Sequence, residues 1–250
     1  MVQRIDRIAG LLARYGFVRV SDLAAELGVS EVTIRGDLTA MEREGRLVRV
    51  HGGAMPVPAG RETALERSAD RAAADKAAIG RAAAALVQPG DSVYLDVGST
   101  ALAVAHALLE RTDLHDVVLI TGGLTIALAL EPGIPRWTVV VSGGTLRPLQ
   151  HSLVAPFAAP LLGALRPDLA FIGCNGVDAT AGATNVNLPE AEVKRDVLAH
   201  AGRAVLLADA SKLGRVEVGV IAPLDRFERL VTAGRVPTGF EPGIPVTHAA

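Results

Sequence analysis

Ser92-Val93-Tyr94-Leu95-Asp96-Val97-Gly98-Ser99-Thr100, running on through Ala101-Leu102-Ala103-Val104-Ala105-His106-Ala107-Leu108-Leu109, is the stretch around which most of this 250-residue chain is arranged. Its apolar run stops at Val97 and reads as a short strand, Gly98 as a tight turn, and the continuation as a helix. Gly98 lets the backbone turn and puts no side chain in the way of a ligand. Ser99 and Thr100 bring two hydroxyls and free N–H groups to a helix start, where the dipole favours an anion, a phosphate above all. A purely structural role, Ser99 capping the helix, accounts for one of the hydroxyls.

The pattern recurs downstream. Val117-Val118-Leu119-Ile120 runs into Thr121-Gly122-Gly123, and Thr138-Val139-Val140-Val141 into Ser142-Gly143-Gly144-Thr145. Asp168-Leu169-Ala170-Phe171-Ile172 ends in Gly173-Cys174-Asn175-Gly176, and Ala204-Val205-Leu206-Leu207-Ala208 in Asp209-Ala210-Ser211-Lys212. Helices are predicted over 152–165 and 189–201, with a long alanine-rich one over 63–87 that Pro89-Gly90 stops. Short apolar strands alternating with helices imply a mostly parallel sheet buried on both faces, and such sheets bind ligands beyond the carboxyl ends of their strands. Repeated strand ends carrying glycine with Ser, Thr, Asn, Asp or Lys argue for a polar pocket at one edge. Asp178, Thr184, Asn187, Glu190, Lys194 and Lys212 are candidates to complete it, Lys212 as a phosphate counter-ion. Taken alone, Glu190 and Lys194 read more simply as an i, i+4 surface ion pair.

Half the residues are apolar but only 3% are aromatic, so the core is built from small side chains. No apolar run is long enough to span a membrane, the N-terminus lacks a signal-peptide shape, and the single cysteine, Cys174, has no partner within the chain. A cytoplasmic protein without a membrane partner is expected. Residues 1–54 hold 8 Lys and Arg against 7 Asp and Glu, so binding of nucleic acid would need a local cluster, not bulk charge.

Those first 54 residues carry such a cluster. Ile5, Ile8, Leu12 and Tyr15 space a helix that ends at Gly16; a short β-like segment, 17–20, follows. Ser21 is placed to cap a second helix ending at Gly28, and Ser30 a third with Ile34, Leu38 and Met41 inward. Two helices joined by Gly28-Val29-Ser30 form a helix-turn-helix whose second member enters the DNA major groove. Val32, Thr33 and Arg35 lie on its outer face. Residues 46–51 alternate as a strand with Arg49 and His51 on one side; paired with 17–20 it would form a wing whose cationic edge, with Arg46, lies along the DNA backbone.

Val29-Ser30-Glu31-Val32-Thr33-Ile34-Arg35-Gly36-Asp37-Leu38, followed by Gly45-Arg46-Leu47-Val48-Arg49-Val50-His51-Gly52-Gly53-Ala54, resembles the DeoR family of bacterial transcription regulators. Gly36 departs from that pattern, which has a second arginine there. Asp96-x-Gly98-Ser99-Thr100, Thr121, Ser142-Gly143-Gly144, Asn175-Gly176-Val177-Asp178, Thr184, Glu190, Lys194 and Asp209-x-Ser211-Lys212 match recurring blocks of the family's sensor domain. The resemblance implies a winged helix-turn-helix (1–54), a linker (55–62) and an α/β sensor domain (63–250) similar in fold to ribose-5-phosphate isomerase and the CoA transferases. It implies a homo-oligomeric repressor, dimer or tetramer, of a carbohydrate operon, bound to double-stranded operator DNA and controlled by a phosphorylated sugar, with no cofactor or metal. DNA-contacting residues would be Ser30, Val32, Thr33, Arg35, Arg46, Arg49 and His51. Effector residues would be Asp96, Gly98, Ser99, Thr100, Thr121, Gly122, Gly143, Gly144, Gly173, Asn175, Gly176, Asp178, Thr184, Glu190, Lys194 and Lys212. After Leu230-Val231-Thr232 the family's last helix is replaced by the proline-rich 237–245, leaving Val246-Thr247-His248 as a final strand.

The rival is a sugar-phosphate isomerase with an added head. It is disfavoured because the isomerase's acid-rich turn is replaced by Gly173-Cys174-Asn175-Gly176-Val177-Asp178, which strands Glu190 without partners for proton transfer. A redox switch at Cys174 lacks a neighbouring cysteine. In the regulator, closure of strand-end loops on a phosphate is expected to tilt helix 63–87 and spoil the spacing of paired heads on half-sites about 34 Å apart.

Overall fold

The computed structural model describes residues 2–43, 47–50, 52–56 and 64–250. They belong to two compact units, Met1–Thr63 and Ala64–Ala250.

In the first unit the order is α1 (Val2–Tyr15), β1 (Val18–Arg19), α2 (Val20–Leu27), α3 (Glu31–Arg43), β2 (Leu47–Val50) and β3 (Gly53–Pro56). Ile8, Leu12, Leu23, Ile34, Leu38, Met41 and Leu47 form its core. Gly28 ends α2 at φ 66°, the left-handed position that costs glycine least. Three expectations are corrected. Helix α2 starts at Val20 with Arg19 in the capping position and no side-chain cap, while the Ser21 hydroxyl turns to Asp22; burying Val20 draws the helix two residues further back. The wing strand pairs not with β1 but with β3, which inserts between them in the order β1-β3-β2. Gly53 makes this possible: a Cβ there would lie 2.2 Å from the Val18 carbonyl oxygen. Met55 and Pro56, expected in a linker, therefore belong to the last strand of the wing sheet.

The second unit begins with α4 (Leu65–Asp70) and α5 (Ala73–Ala84), then β4 (Ser92–Leu95), α6 (Ser99–Glu110), β5 (Val117–Thr121), α7 (Leu124–Leu130), β6 (Trp137–Val141), β7 (Thr145–Arg147), β8 (Ser152–Val154) and α8 (Ala158–Ala164). It continues with β9 (Leu169–Gly173), β10 (Gly176–Asp178), β11 (Gly182–Asn185), α9 (Leu188–His200), β12 (Arg203–Leu207), β13 (Gly219–Ala222), β14 (Arg229–Thr232) and β15 (Val246–His248). Seven strands form one sheet, β15-β14-β12-β9-β4-β5-β6, with every neighbouring pair parallel. Alternate residues fill its two faces. Val93, Leu95, Leu119, Phe171, Val205 and Leu207 pack in one core with residues of α5, α6 and α7; Tyr94, Ile120, Ala170, Ile172 and Leu206 pack in another with residues of α8 and α9. Strands β10, β11 and β13 make a small separate sheet, β7 and β8 a hairpin.

Three further expectations meet the structure here. The helix expected over 63–87 is two helices, broken where Ala72 takes φ 53°. The helix expected over 152–165 keeps only its second half. Ser152–Val154 is a strand pairing with β7, and Pro156, which cannot donate and restricts the residue before it, bars a helix from running through. At the C-terminus Val246–His248 does close the sheet beside β14.

Candidate functional site

In the first unit the Ser30 side chain accepts the Thr33 N–H at 3.2 Å and shares a 2.9 Å hydrogen bond with the Thr33 hydroxyl, so both serve the start of α3. Val32, 79% exposed, and Arg35 lie on the outer face of that helix, the Arg35 guanidinium 2.9 Å from Glu31. Arg49 is turned onto α3, its side chain donating to the Thr39 hydroxyl at 3.0 Å and its N–H to Glu42. Arg46 and His51 lie outside the described residues. One residue the sequence reading passed over anchors the reading helix: Asp37, buried, receives two bonds from Arg4 of α1. Its signal was its place on the Ile34–Leu38–Met41 stripe, where a carboxylate needs a buried partner. A Cβ on Gly36 would meet nothing within 4 Å. Gly36→Ala is therefore expected to raise stability by up to about 1 kcal/mol in thermal or urea unfolding, without altering the fold.

In the second unit the carboxyl ends of β4, β9 and β12 carry the densest polar network. Gly98 occupies the capping position of α6 at φ 95°, and no side chain caps that helix. Ser99 is not the cap: its hydroxyl lies 3.1 Å from that of Ser68 on α4. The Thr100 hydroxyl is buried and has no hydrogen-bond partner. Asp96, 1% exposed, accepts from the Gly173 N–H at 2.8 Å and from the Lys194 ammonium at 2.9 Å. Lys194 also donates to the Gly173 carbonyl and to Asn185. Burial works against the Lys194 ammonium, but Asp96 and Glu190 outweigh it and raise its pKa. The surface Glu190–Lys194 pair is thus corrected to a buried Asp96–Lys194 pair between a strand end and a helix. Glu190 instead accepts from Arg147, from the Ser152 hydroxyl at 2.6 Å and from Asn185 at 3.4 Å.

Beside these, Asp209 is held below the usual carboxylate range: burial pushes it up, but Lys212, 3.8 Å away, and Ser211 more than compensate. Lys76, another residue the sequence reading missed, is 4% exposed and donates to the carbonyls of Ser68 and Arg71. Burial, then repulsion by Lys212, lowers its pKa to about 8. An alanine-rich helical context gave no sign of this lysine's burial.

The remaining candidates are committed elsewhere. Thr121 accepts from the Gly123 N–H, and the Gly122 and Gly144 positions adjoin the β7–β8 hairpin, where a Cβ on Gly144 would lie 2.6 Å from the Val154 oxygen. Gly143, at φ 67°, forms the turn into that hairpin and has open space around it. Asn187 caps α9 through the Glu190 N–H. Asn175 accepts from Val186, Asp178 holds the β10–β11 turn through Thr180 and Ala181, and Thr184 bonds Gly176 and Glu217. A Cβ on Gly176 would lie 2.5 Å from the Arg215 oxygen. Asn175, Asp178 and Thr184 stabilise the small antiparallel sheet and its loops, because short polar side chains at strand ends satisfy neighbouring backbone first. Cys174 is buried, and burial raises its thiol to about 11. Native protein at pH 8 is expected to resist iodoacetamide until unfolded; fast labelling would contradict its burial. Among the described residues no cluster of His, Cys, Asp or Glu is arranged to hold a metal, and no helix is long and apolar enough to cross a membrane.

Residues 4–57 match the DeoR-like helix-turn-helix domain and residues 71–233 the DeoR C-terminal sensor domain. The chain is 32% identical to the HTH-type transcriptional regulator YgbI of Escherichia coli K12, over 94% of this chain and 91% of that protein. It is 33% identical to the HTH-type transcriptional regulator GlpR of Haloferax volcanii (93% and 89%) and 27% identical to the glycerol-3-phosphate regulon repressor of E. coli K12 (89% and 88%). Among solved structures, ribose 5-phosphate isomerase A of Methanocaldococcus jannaschii is similar over 55% of this chain and 53% of its own, with a TM-score of 0.40 and 20% identity.

Proposed function

Because the chain belongs to the DeoR family of transcriptional regulators, and like them is a DNA-binding regulator and not an enzyme, we propose that it represses a carbohydrate operon and is controlled by a phosphorylated sugar or related metabolite. The effector's phosphate sits at the start of α6, and its hydroxyls face the Asp96–Lys194 end of the site. The observation that carries this reading is the bare N-terminus of α6, a helix of 12 residues with no side-chain cap, with the unpartnered Thr100 hydroxyl in its first turn. A dianion there meets aligned N–H groups and the helix dipole. Lys212, half-buried beside the same strand ends, supplies a counter-charge. The name of one relative, a repressor of a glycerol-3-phosphate regulon, is in keeping with a phosphate ester as the signal.

Residues 1–56, with the wing strand Gly53–Pro56, act as the reading head and 64–250 as the sensor, and paired copies present two heads to half-sites about 34 Å apart or a multiple of it. Binding of effector to the geometry that does not fit DNA need supply only about 1–3 kcal/mol of coupling to weaken operator binding several- to a hundredfold. A thermal-shift screen of sugar phosphates, followed by retardation of the gene's own upstream DNA, tests it. At least one ester should raise the melting temperature and release the DNA; a screen in which none does either refutes the reading.

A further inference from the structure

The anion site just proposed has one wall that does not belong to the sheet. Helix α4 reaches it through two ties. The Ser68 hydroxyl bonds that of Ser99, the first residue of α6, at 3.1 Å. The Lys76 ammonium, at the start of α5, donates to the carbonyls of Ser68 and Arg71, holding the C-terminal end of α4. Both ties are replaceable by an anion. Ser99's hydroxyl and N–H stand at the uncapped helix start, where an incoming phosphate oxygen competes with the neutral Ser68 hydroxyl and forms the stronger, charge-assisted bond. Among the described residues Lys76 is a buried cation with no carboxylate in ion-pair range, held by carbonyls and repelled by Lys212. A buried charge that lacks a counter-ion gains most when one arrives. Of the two carboxylates that act on it through space, Asp209 and Asp70, the stronger, Asp209, is already engaged by Ser211 and Lys212.

We propose that Ser68 and Lys76 are positioning residues that convert anion binding into release of α4: a phosphate at the start of α6 takes the Ser99 hydroxyl from Ser68 and draws the Lys76 ammonium away from the α4 carbonyls. Helix α4, only six residues long and poorly stable without tertiary ties, then loosens. Being the first element of the sensor unit after residue 63, α4 is the segment through which such a change passes toward the reading head. The inference rests on the effector site proposed above but adds a route of its own.

Hydrogen exchange on the full-length protein, with inorganic phosphate, glycerol 3-phosphate and ribose 5-phosphate as probes, separates the two. The expected result is slower exchange across 98–104 together with at least fivefold faster exchange across 65–72 on addition of an effective probe. Slower exchange at 98–104 with 65–72 unchanged, or also slowed, overturns the release of α4 and leaves the site standing. No change at either segment with any probe overturns both. Ser68→Ala and Lys76→Gln should each speed exchange at 65–72 without any probe and lower operator affinity several-fold, while still slowing exchange at 98–104 on binding. Variants in which α4 stays as protected as in the parent count against the ties.

Discussion

Lys194→Ala is expected to destabilise the protein by about 3–5 kcal/mol, the largest single effect the structure foretells. The ammonium is 4% exposed at the side chain and its partner Asp96 1%. Removing it leaves a carboxylate buried among β4, β9 and α9 with only the backbone N–H groups of Val97 and Gly173 to hold it. It also strips the Gly173 carbonyl and the Asn185 oxygen of a donor. Urea unfolding measures the loss. The double variant Asp96→Asn, Lys194→Met should recover a good part of it, since no uncompensated charge remains buried. A single variant within about 1 kcal/mol of the parent would mean the pair is solvated and not the keystone of the strand-end network.

Arg35→Ala is expected to cost operator binding about 1–3 kcal/mol, roughly 5- to 150-fold, while leaving the fold intact. The asymmetry comes from where the side chain stands. Arg35 is half-exposed on α3, and its ion pair with Glu31 is a surface i, i+4 contact worth at most about 1 kcal/mol. None of the core of the first unit depends on it. Retardation on the upstream DNA and on an unrelated fragment of equal length distinguishes its role. Loss on the operator alone marks a base contact, equal loss on both marks a phosphate contact, and no loss on either contradicts a place in the interface.

The parts of the fold that were legible in the sequence are those where local chemistry and tertiary packing agree. Apolar four- and five-residue runs became the parallel strands, and Gly28 and Ser30 bounded the reading helices as their backbone preferences require. Legibility failed where one tertiary contact overrode a local preference. The alanine-rich run over 63–87, with no proline and no glycine near position 72, hides the break at Ala72, which the buried Lys76 bridges by holding the Ser68 and Arg71 carbonyls. Glu190 and Lys194, four apart on one helix, look like each other's partners, but the sheet brings Asp96 to Lys194 and the β7–β8 hairpin brings Arg147 and Ser152 to Glu190. In the candidate site, glycine and small polar residues at strand ends looked alike in sequence. The structure divides them into Asp96, Gly98, Ser99, Thr100, Lys194 and Lys212 around the start of α6 and the neighbouring strand ends, and Asn175, Asp178 and Thr184, whose polar atoms serve the small antiparallel sheet and its loops.

Operator release measured against phosphate-ester concentration, in the parent and in Gly98→Asp and Ser99→Ala proteins checked for native circular dichroism, tests the central claim most directly. Gly98→Asp sets a carboxylate at the start of α6 and Ser99→Ala removes its first hydroxyl. The account predicts that an ester which frees the parent from DNA leaves the first variant bound. The second, whose ester-free operator affinity is lowered several-fold because the Ser68–Ser99 tie is lost, reaches half-release only at a much higher ester concentration than the parent. Release of both variants at the parent's concentration, or a parent that no ester dislodges, would contradict it.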